Sequence, residues 1–427
     1  MPFPINGPGV WRVRARLSLG TLLAALALPL PVAALDLSLS DALARAAAFD
    51  PAQTTSGARV EAAEASVRQA SVKPTPTLGL DIENFTGSGP YSLLDRSETT
   101  LSYAQPLERK DKREARVGRA RAEVEVVRAR SVVIRLDLLR DVQAAYAEAL
   151  AADAELLVAE ARLVAAQASR RDIGRRVKSA RDPLFAGSRA EAMVAQAEIA
   201  RDRARLFVRA SRDALAAFWG GTGDFTLKLD DFFNIAPPAD LPSGGNPDLA
   251  LLEAARDMAT AAVRLERSRG EADPTVRAGL RYLGQGGDAA LVVGGSIPLG
   301  VRAANRANVE RASAERAAAE AEITAAGMIR AREIAGRLTR LQALALESER
   351  IRTEVIPHAI RAVEQVTAGF NRGGFEYLDV TETERALADA RARRVEVLRE
   401  FHIGLATLDR LTGKHRALAA TQNQERR

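Results

Sequence analysis

Cysteine is absent from the 427 residues, so no disulfide can staple the fold and no lipidated cysteine can anchor a mature terminus. There are only three histidines and four methionines. His358, His402 and His415 stand singly, and without thiolates they form no ligand cluster, so neither a resident metal nor another cofactor is expected. Aromatic residues make up 4% of the chain, fewer than a large globular core normally uses, so small side chains must do much of the packing. After the first 34 residues no run approaches ~18 consecutive apolar positions, which excludes an ordinary spanning helix and leaves strands or surface contact as routes into a membrane. The motifs His-Glu-x-x-His and Gly-x-Ser-x-Gly, a phosphate loop and a dinucleotide fingerprint are all missing, and Gly284, Gly286 and Gly287 fall in a hairpin loop, not ahead of a helix. No catalytic residue is nominated, and the chain is read as not an enzyme.

What is present is mostly alanine, arginine, glutamate and leucine, the mixture of long helices. Residues 1–34 read as a signal peptide: Arg12, Arg14 and Arg16 precede the apolar run 17–30, and Val32 and Ala34 precede a mature start at Leu35. The formal charge of +6 includes those three arginines and no acid from the same segment, leaving +3 on residues 35–427. Cations alternate with acids along helices instead of gathering in a patch, so no nucleic-acid partner is expected.

Two short regions break the helical period. In 77–105, Leu78, Leu80 and Ile82 alternate with Gly79, Asp81 and Glu83, and after a loop Thr99, Leu101 and Tyr103 share one face. In 275–297, Val276, Ala278, Leu280 and Tyr282 alternate with Arg277, Gly279 and Arg281, followed by Leu291, Val293 and Ile297. Each is a strand pair with one apolar and one polar side. The flanks also match. Helical stretches begin near Pro51 and Pro247, 196 residues apart; Pro-Leu steps at 106–107 and 298–299 are 192 apart; closing glycines at 220 and 413 are 193 apart. Such regular offsets indicate duplication. The first repeat spans 35–220 with a long helix 107–179 and a return helix 184–219. The second spans 247–413 with a long helix 299–368, in which Pro357 should introduce a kink, and a return helix 375–412. A segment rich in Gly, Pro, Asp and Phe (221–246) connects the repeats, and 414–427 forms a tail. At ~1.5 Å per residue the first long helix measures on the order of 100 Å. Its positions Leu139, Val142, Tyr146, Leu150, Leu157 and Val164 are spaced for coiled-coil packing, as are Ile334, Leu338, Leu341 and Ala345.

The fold class is therefore mainly α with a small β part. Strands of about nine residues with one apolar face suit a bilayer, but four cannot close, because the smallest membrane barrels need ~8. Subunits must pool them, and three copies give a twelve-stranded membrane β-barrel above a trimeric α-barrel of long-helix hairpins. Asp81, Glu83, Arg277 and Arg281 would face its lumen, with Tyr103 and Tyr282 on the lipid-facing or interfacial side.

The order of these elements resembles the TolC-like outer-membrane factor family, the outer-membrane channels of tripartite efflux pumps and type I secretion systems. The likeness runs from Leu39-Ser40-Asp41-Ala42-Leu43, through Ser296-Ile297-Pro298-Leu299-Gly300 and the segment 368–380, to Leu411-Thr412-Gly413. It implies a homotrimer set in outer-membrane lipid and extending into the periplasm, with no energy source of its own. A periplasmic membrane-fusion adaptor and an inner-membrane pump of the resistance-nodulation-division type would be its partners. The segment 368–380 looks most like the cobalt-zinc-cadmium branch, which makes heavy-metal cations or other small toxic solutes the expected cargo. The resemblance further places acids at the periplasmic entrance, with Asp379, Glu382, Glu376 and Arg372 as gate candidates. It puts adaptor docking at the hairpin tips, with Gly373, Gly374, Phe375, Tyr377, Asp182, Pro183 and Leu184 as candidates. The first tip departs from the family at Ala180-Arg181-Asp182-Pro183, where a glycine is common. Two other readings stay open from sequence: a type I protein-secretion channel, and a soluble periplasmic coiled-coil scaffold. At the same positions, acids near a helix start and apolar side chains in a turn also have purely local uses.

Overall fold

The computed structural model describes residues 36–91, 94–238 and 245–420. The signal peptide read at 1–34 and the tail beyond 420 lie outside the described residues.

The chain opens with a short strand β1 (Asp36–Leu37) and helix α1 (Leu39–Phe49). Ser38 caps α1, its hydroxyl accepting from the Asp41 N–H at 3.2 Å, and satisfies one of the donors a helix start leaves free. Helix α2 (Pro51–Ser71) begins at Asp50, whose carboxylate accepts from the Ala52 N–H at 2.8 Å. Proline occupies the first turn, where its missing N–H costs nothing. Strands β2 (Thr77–Glu83) and β3 (Glu98–Pro106) lead into α3 (Lys110–Lys178, 69 residues) and α4 (Leu184–Ala216). A short strand β4 (Thr226–Leu227) and helix α5 (Asp230–Phe233) fill the connecting segment. The pattern then repeats. Helix α6 (Pro247–Arg269) starts on the Asn246 cap with proline in its first turn, and β5 (Thr275–Leu283) and β6 (Asp288–Ser296) follow. Next come α7 (Val301–Arg350), α8 (Ile356–Arg372), α9 (Tyr377–Thr412) and a last turn α10 (Arg416–Ala420).

A π-helical turn, Ile351–Val355, separates α7 from α8. Its wider hydrogen-bond spacing ends just before Pro357, the residue that has no N–H to give the helix ladder.

The longer strands form one antiparallel sheet in the order β2-β3-β5-β6. The β3–β5 pairing, Leu101 opposite Leu280 and Tyr103 opposite Ala278, stitches the two repeats together. β2 and β6 are its open edges. Below the sheet α3 packs against α2, α4, α6 and α9, and α7 packs against α6 and α9.

The largest core lies midway along α3, where Leu136, Leu139, Val142 and Leu150 meet Leu37, Leu215, Phe232 and Leu398. The Tyr146 hydroxyl donates to the Leu37 carbonyl at 3.0 Å, and burial pushes its pKa up to about 12. Arg410 reaches Asp137 of α3 at 2.8 Å and Asp248 of α6, and Asp248 also meets Arg330 of α7 at 3.3 Å, so one ionic cluster clamps four helices at this level. Leu157 and Val164, read from sequence as part of the same seam, are instead exposed, and Leu163, Ala166 and Ile173 take the buried positions. A straight α-helix drifts ~20° per heptad against a seven-residue repeat, and the lower part of α3 packs on α4 through Leu163 and Ala166 against Val194 and Ala197.

Candidate functional site

Two regions carry the candidate residues: the sheet and the two hairpin tips. The pairing register puts Leu78, Leu80 and Ile82 beside Tyr103, Leu101 and Thr99, and these beside Ala278, Leu280 and Tyr282. Ala289, Leu291 and Val293 of β6 complete the same face. Leu101 is 49% exposed, Leu280 62% and Leu291 74%, whereas Thr100 and Ser102, on the opposite side of β3, are each 4% exposed. A sheet folding in water would do the reverse, since exposing apolar area costs roughly 25 cal/mol per Å². This sheet presents its apolar side outward and wraps its polar side inward, the arrangement of a membrane barrel wall.

On the polar side the Arg281 guanidinium donates to Glu98 at 2.7 Å and to the Thr100 hydroxyl at 3.0 Å, and meets Glu83 at 3.1 Å. Glu83 and Arg281 are thus brought together. Asp81 stands opposite Thr100 and Arg277 opposite Ala104 on the same face, with no ion pair between them. Glu98 was not nominated from sequence: its role depends on the β3–β5 register, which joins residues 183 apart.

At the first tip Ala180 adopts φ 53°, the left-handed region where an L side chain is strained, and Asp182-Pro183-Leu184 starts the return helix. Arg176 donates to both Asp182 oxygens at 2.7 and 3.1 Å, to the Phe370 carbonyl at 2.6 Å, and stacks 4.2 Å from the Phe370 ring. Phe370 belongs to the second hairpin, so Arg176 fastens the tips to each other. Nothing in the sequence singles it out, since its partners come from both repeats.

At the second tip Gly373 takes φ 90° and Gly374 follows. Phe375 packs on Gly369, where any Cβ would collide with its ring. Glu376 and Asp379 form a capping box, the Glu376 N–H donating to Asp379 at 2.9 Å, so these two acids have a local task. Arg372 ends α8, where a cation complements the helix dipole. Glu382 is exposed and makes no ion pair among the described residues. Tyr377 is turned into the joint, 6.2 Å from Phe370 with its hydroxyl 3.5 Å from the Met193 sulfur, and Leu184 and Phe375 remain exposed.

Slightly above, Glu384 of α9 accepts from the Ser169 hydroxyl of α3 at 2.9 Å. Burial raises its pKa, and the nearby Asp172 charge adds to the rise. Among the described residues no helix is long and apolar enough to cross a membrane, and no group of three or more His, Cys, Asp or Glu residues could hold a metal ion.

Residues 39–221 and 243–414 match the outer membrane efflux protein family. The cobalt-zinc-cadmium resistance protein CzcC of Cupriavidus metallidurans is 27% identical over 387 residues, covering 88% of this chain and 90% of that protein. The nickel-cobalt-cadmium resistance protein NccC of Alcaligenes xylosoxydans is 26% identical over 269 residues, 62% of this chain and 61% of that one. The crystal structure of CusC, described in terms of transmembrane channel formation, superposes with a TM-score of 0.73 at 16% identity over 89% of this chain and 92% of that chain.

Proposed function

The chain belongs to the outer membrane efflux protein family, and from that premise we propose that three copies close into a passive conduit that carries heavy-metal cations from the periplasm to the exterior. The observation that carries this reading is the inside-out sheet with two open edges. β2 and β6 each leave a row of backbone N–H and C=O groups unpaired, which a bilayer does not tolerate. Pairing β2 of one copy with β6 of the next removes every edge, and three copies supply twelve strands. The polar face then becomes the lumen wall, lined by Asp81, Glu83, Glu98, Arg277 and Arg281. The cargo class is supported by the relatives, both named for resistance to cobalt and cadmium. In this reading cations pass through water in the lumen, and the chain acts as a channel.

In this reading the hairpin tips form the periplasmic entrance. Exposed Leu184 and Phe375 dock a membrane-fusion adaptor, and a resistance-nodulation-division pump in the inner membrane supplies the energy. Glu382, repeated in each copy, contributes to an acidic ring that attracts cations to the axis and helps hold the entrance closed. Asp379 joins that ring while keeping its capping bond, and Glu376 and Arg372 shape the turn. Deleting the chain from its host should lower tolerance to cobalt, zinc or cadmium, and unchanged tolerance to all three would refute the cargo assignment. In planar bilayers Glu382→Ala should raise ion conductance without loss of folding; unaltered conductance would reduce Glu382 to surface charge.

A further inference from the structure

The outward apolar face does not stop where the strands end. Along β3 the alternation Leu101, Tyr103, Gln105 continues to Leu107 and Arg109, and along β6 Leu291, Val293 and Gly295 continue to Ile297 and Leu299. Leu107 is 48% exposed, Ile297 62% and Leu299 92%. A nine-residue strand tilted by ~45° spans roughly 20 Å of bilayer, short of the ~25 Å apolar band of a membrane barrel. Leu107, Ile297 and Leu299 make up the difference, which sets the membrane boundary just beyond them. The next side chains are Arg109 and Lys110 on one line and Arg302 and Arg306 on the other, with Lys73 exposed on the approach to β2.

This collar carries a surplus of basic residues. Residues 68–76, 107–116, 269–274 and 297–306 hold ten Lys and Arg against five Asp and Glu, a net +5, more than the +3 of residues 35–427 as a whole. All five acids are engaged within the collar. Glu108 is held by Arg116, and Glu271 by Arg302 and, at 3.7 Å, by Arg109. Asp111 is held by Arg109 at 3.2 Å, Asp273 by Lys112 at 2.6 Å and Glu114 by Lys110 at 3.5 Å. Arg269 and Arg306 pair with Glu266 at 2.8 Å and Glu310 at 2.9 Å just outside the collar, whereas Arg68, Lys73 and Arg113 have no acid partner among the described residues. Surplus cations at headgroup depth, continuous with an exposed apolar band, fit anionic lipid, since each Lys or Arg near such a surface adds to the attraction. We propose that this collar binds the headgroup phosphates of anionic phospholipid in the leaflet facing the periplasm and fixes the depth of the barrel. The inference rests on the barrel reading above.

The test reconstitutes the full mature protein into vesicles containing equal phosphatidylglycerol and phosphatidylcholine and measures which lipid it retains on extraction, by native mass spectrometry. The expected result is a several-fold preference for phosphatidylglycerol. That preference should fall toward one in a Lys73→Gln/Arg109→Gln/Lys110→Gln/Arg113→Gln variant and fall partly in Lys110→Gln, whose side chain is 80% exposed and can be changed without disturbing the fold. Arg316→Gln, in the first third of α7 and beyond the collar, should leave it unchanged. No preference in the native protein, a preference that survives the collar variants, or displacement by excess inorganic phosphate would overturn the proposal. Failure to insert into either lipid would sink the barrel reading and this inference with it.

Discussion

The two hairpin tips solve one problem with different chemistry. Each must reverse a long helix through a left-handed residue. The second uses Gly373, which adopts φ 90° without strain, and closes the turn with a backbone capping box. The first uses Ala180 at φ 53° and relies on the ion pair of Arg176 with Asp182. Arg176 also bonds and stacks on Phe370, so the less relaxed tip holds the other in place. A duplicated architecture has thus become asymmetric: the first repeat carries an unbroken 69-residue rod and the clamp, while the second carries a π turn between α7 and α8 and the turn that is clamped. The lesson is that equivalent backbone positions in a duplication need not contribute equally to holding the tips together.

Substitutions can break or sharpen this comparison. The largest effect is expected from Arg176→Ala, which removes two bonds to Asp182, one to the Phe370 carbonyl and the ring contact. It should cost about 2 kcal/mol, read as a lower Tm, and should raise resting conductance in planar bilayers. Equal losses from Arg176→Ala and Arg372→Ala would erase the asymmetry. Next come reciprocal changes at the turns. Gly373→Ala should destabilise by about 1–2 kcal/mol, the strain of an L residue in the left-handed region. Ala180→Gly should gain somewhat less than that, because glycine returns ~0.4–1 kcal/mol of unfolded-chain entropy; thermal melts of both variants check the signs.

A smaller effect concerns pH and sets the tips against the belt at the level of Phe232. Glu384 near the tips has its pKa raised by burial from the ordinary 4.5. Its contribution to stability is fully present below about that pH and declines as pH rises through the folded value, so the α3–α9 seam is firmer in acid. His402 in the belt stacks on Phe232 at 5.2 Å and has its pKa lowered from 6.5, chiefly by burial. Its contribution is present above 6.5 and fades as pH falls below it, so the belt is firmer at neutral pH. Hydrogen exchange at pH 7.5 and pH 5 should show opposite trends in the two regions. Glu384→Gln should remove the trend at the tip and leave that of the belt, and parallel trends would refute the assignment.

Much of this was readable from sequence, for physical reasons. Period-two alternation marked the sheet because one face meets lipid and the other water, and duplication showed because both repeats keep proline and glycine at equivalent breaks. Leu157 and Val164 were misplaced because a heptad pattern does not tell which neighbour a long helix faces at each level. Glu98 and Arg176 could not be nominated, since each acquires its role only when register or hairpin docking brings the repeats together. The capping bond between Glu376 and Asp379 fits the spacing of three, yet the same spacing suits a gate, and only the geometry identifies the bond.

The central claim is that copies of this chain pool their strands to close a barrel, and it is tested most directly by determining the mass of the mature protein extracted with detergent from the outer-membrane fraction. The account predicts a particle of three chains that requires detergent to stay in solution. A monomer recovered from the soluble periplasmic fraction would contradict it.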